Sequence, residues 1–135
     1  MEWMSAAAVF VGGGLGAVLR YYLERFLAPR RTSDALISAV FVINVLGSLA
    51  LGIVGAAVNV LGGQDAVAYA GLSLGLLGGF TTFSTAMVEA VQALLAGRYA
   101  RFVMLWLVQP TLSLIVLIAG YTAAAAVLVA VFSAR

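Results

Sequence analysis

Gly78-Gly79-Phe80-Thr81-Thr82-Phe83-Ser84-Thr85 lies within residues 66–88, a run without a single charge. Hydroxyls and glycines packed this densely are costly inside lipid, where every backbone polar group needs a partner within the protein. Glycine lifts the steric bar to non-helical backbone, and neighbouring hydroxyls can satisfy the groups that a broken helix sets free. The stretch therefore predicts a helix that breaks near Gly78-Gly79, within Gly78–Thr81, and lines a polar path or binding site. A continuous, kinked helix with Ser and Thr bonding back to the i−4 carbonyl is the plainer alternative. The hydroxyl density of Thr81–Thr85 favours the break.

The composition around this stretch places it in a membrane. The chain is 64% hydrophobic and 9% charged, with a mean hydropathy of +1.15. Soluble domains carry about a quarter charged residues. The charges also cluster, leaving residues 3–19, 35–64, 66–88 and 102–134 uncharged. The last three runs reach the roughly 20 apolar residues that a spanning helix requires, and the first does so once Arg20 snorkels to the interface. An all-α membrane protein of four spans, near 3–26, 36–61, 67–96 and 101–132, is expected, with residues 1–135 forming one transmembrane domain. The N-terminal run lacks the basic flank of a signal peptide and continues into Tyr21-Tyr22, a plausible interfacial belt.

The connections are short. Pro29 ends the first span, Ser33 or Asp34 can cap the second, Gly62-Gly63-Gln64-Asp65 joins the second to the third, and Gly97-Arg98 turns into the fourth. Such lengths predict antiparallel neighbours in sequential order. Arg25, Arg30, Arg31, Arg98 and Arg101 all fall on the side of loops one and three. The positive-inside rule puts that side in the cytoplasm. Small residues recur at four-residue spacing: Gly12 and Gly16, Ser48 and Gly52, and Gly71, Gly75 and Gly79. Such faces let helices approach closely, either within one subunit or between the third helices of two copies. A polar path through so small a bundle is easier to build between two copies.

Catalytic chemistry finds no footing. There is no Cys, His or Lys, so the usual nucleophile–base pairs and disulfides are missing. No basic patch suits a nucleic acid, and no motif for an organic cofactor is present. The polar residues within the spans are the informative ones. Asn44 sits between Ile43 and Val45, and its amide either joins two helices or faces a polar path. Glu89, about 9 Å along the helix from Phe83 at 1.5 Å per residue, is either a vestibule carboxylate or one bonded to a neighbour near the interface. Phe83 stands between Thr82 and Ser84, where the positive edge of its ring can line an anion route without a trapping charge. Arg20 is either an interfacial anchor or a cation that concentrates anions at a pore mouth.

Three blocks resemble the fluoride channel family (Fluc, also called CrcB). Gly12-Gly13-Gly14-Leu15-Gly16-Ala17-Val18-Leu19-Arg20-Tyr21 is similar to its first-helix block, Asn44-Val45-Leu46-Gly47-Ser48-Leu49 to its second, and Gly78 to Thr85 to its third. Their order and spacing agree over most of the chain. The resemblance implies an antiparallel dimer with two narrow pores. It implies a structural sodium ion at the dimer centre, held by the backbone carbonyls of Gly78 and Thr81. It also implies fluoride passing Asn44, Phe83, Ser84, Thr85 and Glu89, with Ser113 and Arg20 added to that pathway here. The expected role is passive fluoride export, and hence fluoride resistance, across a bacterial or archaeal cytoplasmic membrane.

Three departures stand against the family pattern. Ala86 occupies the place of a second phenylalanine, leaving the path short of a ring that Ala86→Phe would restore. Leu105 and Gln109 fall where the fourth helix tends to carry Tyr and Ser, with Ser113 a turn further. The arginine bias is strong for a chain expected to insert both ways. A heterodimer with an oppositely biased homologous subunit explains all three, and a divergent homodimer is the simpler reading. A small dimeric multidrug exporter would want a carboxylate in residues 3–19, where there is none. A non-transporting membrane scaffold would leave Asn44 and the hydroxyl cluster without a purpose.

Overall fold

A computed structural model describes residues 2–28, 35–61 and 66–134. Helix α1 is Glu2–Leu27 and α2 is Ala39–Leu61. Helix α3 covers residues 66–80 and is followed after two extended residues by α4, Phe83–Leu95. Helix α5 is Tyr99–Ser133. Four segments are long and apolar enough to cross a membrane: α1, α2, Val67–Leu95 and α5. The protein is therefore a multi-pass, all-α membrane protein, and no strand occurs among the described residues.

The third span is interrupted near its middle, but not at the glycines. Gly78–Phe80 stays helical, and the extended residues are Thr81 (φ −86°, ψ 155°) and Thr82 (φ −150°, ψ 121°). The glycines serve close packing instead. A Cβ on Gly79 would lie 2.3 Å from the Gly13 carbonyl oxygen, and one on Gly12 would lie 2.2 Å from that of Gly71. Gly71, Gly75 and Gly79 are thus covered by α1 of the same chain. They do not form a free stripe on which two third helices could meet.

The expected sequential packing gives way to alternate packing. Helix α1 lies chiefly on α3, α2 lies on α5, and α1 barely touches α2. Close-packing surfaces decide this rather than loop length: the Gly12/Gly16 face finds its complement on α3, and Gly52 of α2 meets the backbone of α5 at Leu117. The break lets the third span change partners midway, because α4 packs on the first turns of α5 rather than on α1. Phe41 of α2, Ala90 of α4 and Leu105 of α5 form a buried core where that second contact meets α2.

The helix ends follow local rules. Ser38 caps α2 by accepting from the Phe41 amide at 3.1 Å. Ser33, Asp34, Arg30, Arg31 and the second loop at 62–65 lie outside the described residues. At the third turn, Gly97 takes φ 71° and the Arg98 amide reaches back to the Ala93 carbonyl at 2.8 Å, a glycine-terminated helix end.

Ala86 is fully buried, at 0% exposure, on the α4 face that also carries Ala90 and Ala93. A phenyl ring there would enter packed interior instead of restoring a ring to an open path. Ala86→Phe is therefore expected to destabilise the protein by about 1–3 kcal/mol through overpacking, seen as a lower melting temperature in detergent.

Candidate functional site

The break is held by one side chain. Asn44, buried on α2, donates from Nδ2 to the Thr82 carbonyl at 2.8 Å and accepts the Thr82 amide on Oδ1 at 2.8 Å. A single side-chain amide thus satisfies both backbone polar groups of one residue of the break, as a neighbouring strand would. Thr82 Oγ1 then serves the next helix. It accepts from the Thr85 amide at 3.4 Å, capping α4, and lies 3.2 Å from Ser84 Oγ and 3.1 Å from Thr85 Oγ1. Both readings of Asn44 meet here: it joins two helices, and it does so at the wall of a cavity.

The rerouted amides leave carbonyls without their helical partners. Thr82 N bonds to Asn44, so Gly78 O has no i+4 donor. Thr85 N bonds to Thr82 Oγ1, which frees Thr81 O likewise. Gly79 O accepts from Arg20 Nε at 3.4 Å, so Arg20 supports the end of α3 from α1. Thr81 Oγ1 bonds back to Leu77 O at 3.0 Å.

A cavity of about 400 Å³ lies between α2, the broken span and α5. Asn44, Thr81, Thr82, Phe83, Gln109 and Ser113 are among its lining residues. Leu74 and Phe83, 69% and 65% exposed, form part of its wall, so a single subunit does not close it. The geometry gathers Asn44, Phe83 and Ser113 at one cavity and links Ser84 and Thr85 to it through Thr82. Arg20 and Glu89 stand apart from that lining. Gln109 also lines it, and its place on the same helical face as Ser113, one turn away, was the available sequence signal.

Glu89 Oε2 pairs with Arg101 at 3.2 Å, and both side chains are partly exposed. The carboxylate thus bridges α4 and the start of α5, as an interfacial residue bonded to a neighbour would. Glu89→Gln keeps the size and one oxygen acceptor for Arg101 while removing the charge. The expected loss of stability is about 1 kcal/mol, a shift of a few degrees in a detergent melt.

The model of the family described as "CrcB-like protein, Camphor Resistance (CrcB)" matches residues 7–121. The chain is 38% identical over 97 residues to the "Fluoride-specific ion channel FluC" of Methylobacterium nodulans, covering 72% of this chain and 77% of that one. It is 42% identical over 92 residues to "Fluoride-specific ion channel FluC 1" of Corynebacterium jeikeium, covering 61% and 65% of the two chains. It is 43% identical over 91 residues to "Fluoride-specific ion channel FluC 2" of Cutibacterium acnes, covering 67% and 72%.

Proposed function

This chain belongs to the CrcB-like family, and we propose that it conducts fluoride passively across the cytoplasmic membrane, exporting it down its gradient. Relatives named as fluoride-specific ion channels support the ion. The observation that carries the route is the cavity beside the Asn44–Thr82 clamp, where hydroxyls, amides and the Phe83 ring replace the fixed charges that would trap an anion. Asn44, Phe83 and Ser113 line that route, Ser84 and Thr85 join it through Thr82, and Arg20 and Glu89 act outside its lining.

The working unit is an antiparallel dimer. The cavity opens onto the exposed Leu74 and Phe83, and a second subunit set against them supplies the missing wall. The partner is either a second copy or a homologous subunit of opposite arginine bias. Relatives numbered FluC 1 and FluC 2 support the paired form. A sodium ion at the dimer centre fits the donors: the Gly78 and Thr81 carbonyls are neutral, hard oxygens released from helical pairing. Bound there, the ion would supply a fixed positive charge that ties the two breaks together.

Purified protein in sodium-loaded vesicles, with the homologous subunit added if it is required, is expected to release fluoride and retain chloride. A path lined by no charged side chain admits only the anion whose hydration it can replace. Phe83→Ile should reduce fluoride release at least about tenfold, equivalent to losing one favourable contact of roughly 1.4 kcal/mol. Fluoride and chloride release at equal rates would refute the proposal.

A further inference from the structure

The two arginines that end α1 are used in opposite ways. Arg20 turns inward to the Gly79 carbonyl. Arg25 is exposed, and its one partner among the described residues is Tyr21: Nη1 donates to the hydroxyl oxygen at 3.1 Å. Side chains lean toward the start of a helix, so the guanidinium lies beside the tyrosine one turn back, on the membrane side. The tyrosine oxygen is the acceptor in this contact, which leaves its own O–H to donate elsewhere. Tyr22 packs edge-on against the Tyr21 ring, with centroids 5.6 Å apart and planes at 74°. A hydroxyl donor and the remaining N–H groups of a guanidinium thus stand side by side on an exposed face.

An apolar face runs from this pair toward the middle of the span. Val11, Leu15, Val18 and Tyr22 recur at helical spacing and are 59%, 56%, 51% and 65% exposed. Helix α1 spends its glycine face, Gly12 and Gly16, on α3, which leaves this face outside. Val18 stands three residues before Tyr21 and seven before Arg25, on the same side of the helix. From Val11 to Tyr21 the rise is about 15 Å at 1.5 Å per residue, half of a hydrocarbon core of roughly 30 Å. Residues 20–34 carry Arg20, Arg25, Arg30 and Arg31 against Glu24 and Asp34. Glu24 sits about 100° round the helix from Arg25 and is less exposed. The end of α1 is therefore net cationic by sequence, and its exposed cation is Arg25.

We infer that Tyr21 and Arg25 form a binding site for the phosphate of an anionic phospholipid, whose chains lie along Val18 and Leu15 and end near Val11. Arginine offers phosphate oxygens two parallel N–H donors, and the Tyr21 O–H adds a third, positioned by Arg25 and Tyr22. An anionic headgroup complements the cationic helix end, whereas a zwitterionic one brings its own cation beside the guanidinium. A free phosphate makes the same polar contacts but leaves the apolar face uncovered. The site lies on α1, which contributes no residue to the cavity lining. It stands whether or not the chain conducts fluoride.

The test uses the full chain purified in detergent and mixed with phosphatidylglycerol or phosphatidylcholine of matched chains. Bound lipid is counted by native mass spectrometry, and a thermal melt is run on the same samples. Phosphatidylglycerol is expected to stay bound at concentrations where phosphatidylcholine does not, and to raise the melting temperature. Sodium phosphate should leave the melt unchanged. Arg25→Gln should weaken phosphatidylglycerol binding at least about tenfold, the effect of one lost charge-assisted contact. Tyr21→Phe, which keeps the ring and loses the O–H, should weaken it by less. Both variants should melt like the wild type without lipid, because both side chains are exposed. Equal retention of the two lipids overturns the inference, as does undiminished phosphatidylglycerol binding by Arg25→Gln. A melt raised as far by sodium phosphate as by phosphatidylglycerol would assign the pair to a free anion and overturn the lipid site too.

Discussion

Gly16→Val is expected to prevent accumulation of folded protein, while Gly14→Val leaves it close to wild type. A Cβ on Gly16 would lie 2.0 Å from the Leu76 carbonyl oxygen and 2.8 Å from the Phe80 amide nitrogen. Both atoms are backbone, so no rotamer change relieves the overlap, and α1 must back away from α3 along its length. Lipid offers helices no hydrophobic drive to associate; close approach of small faces provides most of it. Losing that approach removes several contacts at once, in a protein whose net stability is on the order of 5–15 kcal/mol. Gly14, two residues away on the same helix, has nothing within 4 Å of its would-be Cβ. Monodisperse yield by size-exclusion chromatography and a thermal melt in detergent read both variants. A folded Gly16→Val protein with wild-type melting behaviour would show that the α1–α3 contact does not hold the fold.

Asn44→Leu is expected to lose stability and fluoride release together. Leucine fills nearly the same volume but removes the partners of both Thr82 backbone groups. Each abandoned group costs about 1–3 kcal/mol when buried. The least costly escape is for the Thr82 amide to return to Gly78 O. That extends α3, retracts a carbonyl from the proposed sodium site and removes the Thr82 cap from α4. A melt matching wild type in Asn44→Leu, with release abolished, would assign Asn44 to the ion alone and leave the break held by something else.

What the sequence determined by itself is local in origin. Uncharged runs long enough to cross a bilayer read directly as four spans, because hydropathy depends on composition along the chain. The interruption of the third span was equally legible. Hydroxyls as dense as Thr81-Thr82-Ser84-Thr85 are intolerable in lipid unless backbone is freed nearby. The Gly97 turn and the polar character of Asn44 belong to the same class. Tertiary structure decided which face meets which, since a helix sequence states the faces that exist but not their partners. It assigned the Gly71-Gly75-Gly79 stripe to α1 rather than to a second copy, and moved the break from the glycines to Thr81-Thr82, where Asn44 reaches across from α2. It buried Ala86, paired Glu89 with Arg101, and set Gln109 on the cavity wall. Each of these depends on two segments distant in sequence arriving within a few ångströms, and on the satisfaction of particular N–H and C=O groups there. Hydrogen-bond demand is written into every residue, but its fulfilment is a property of the packed helices alone.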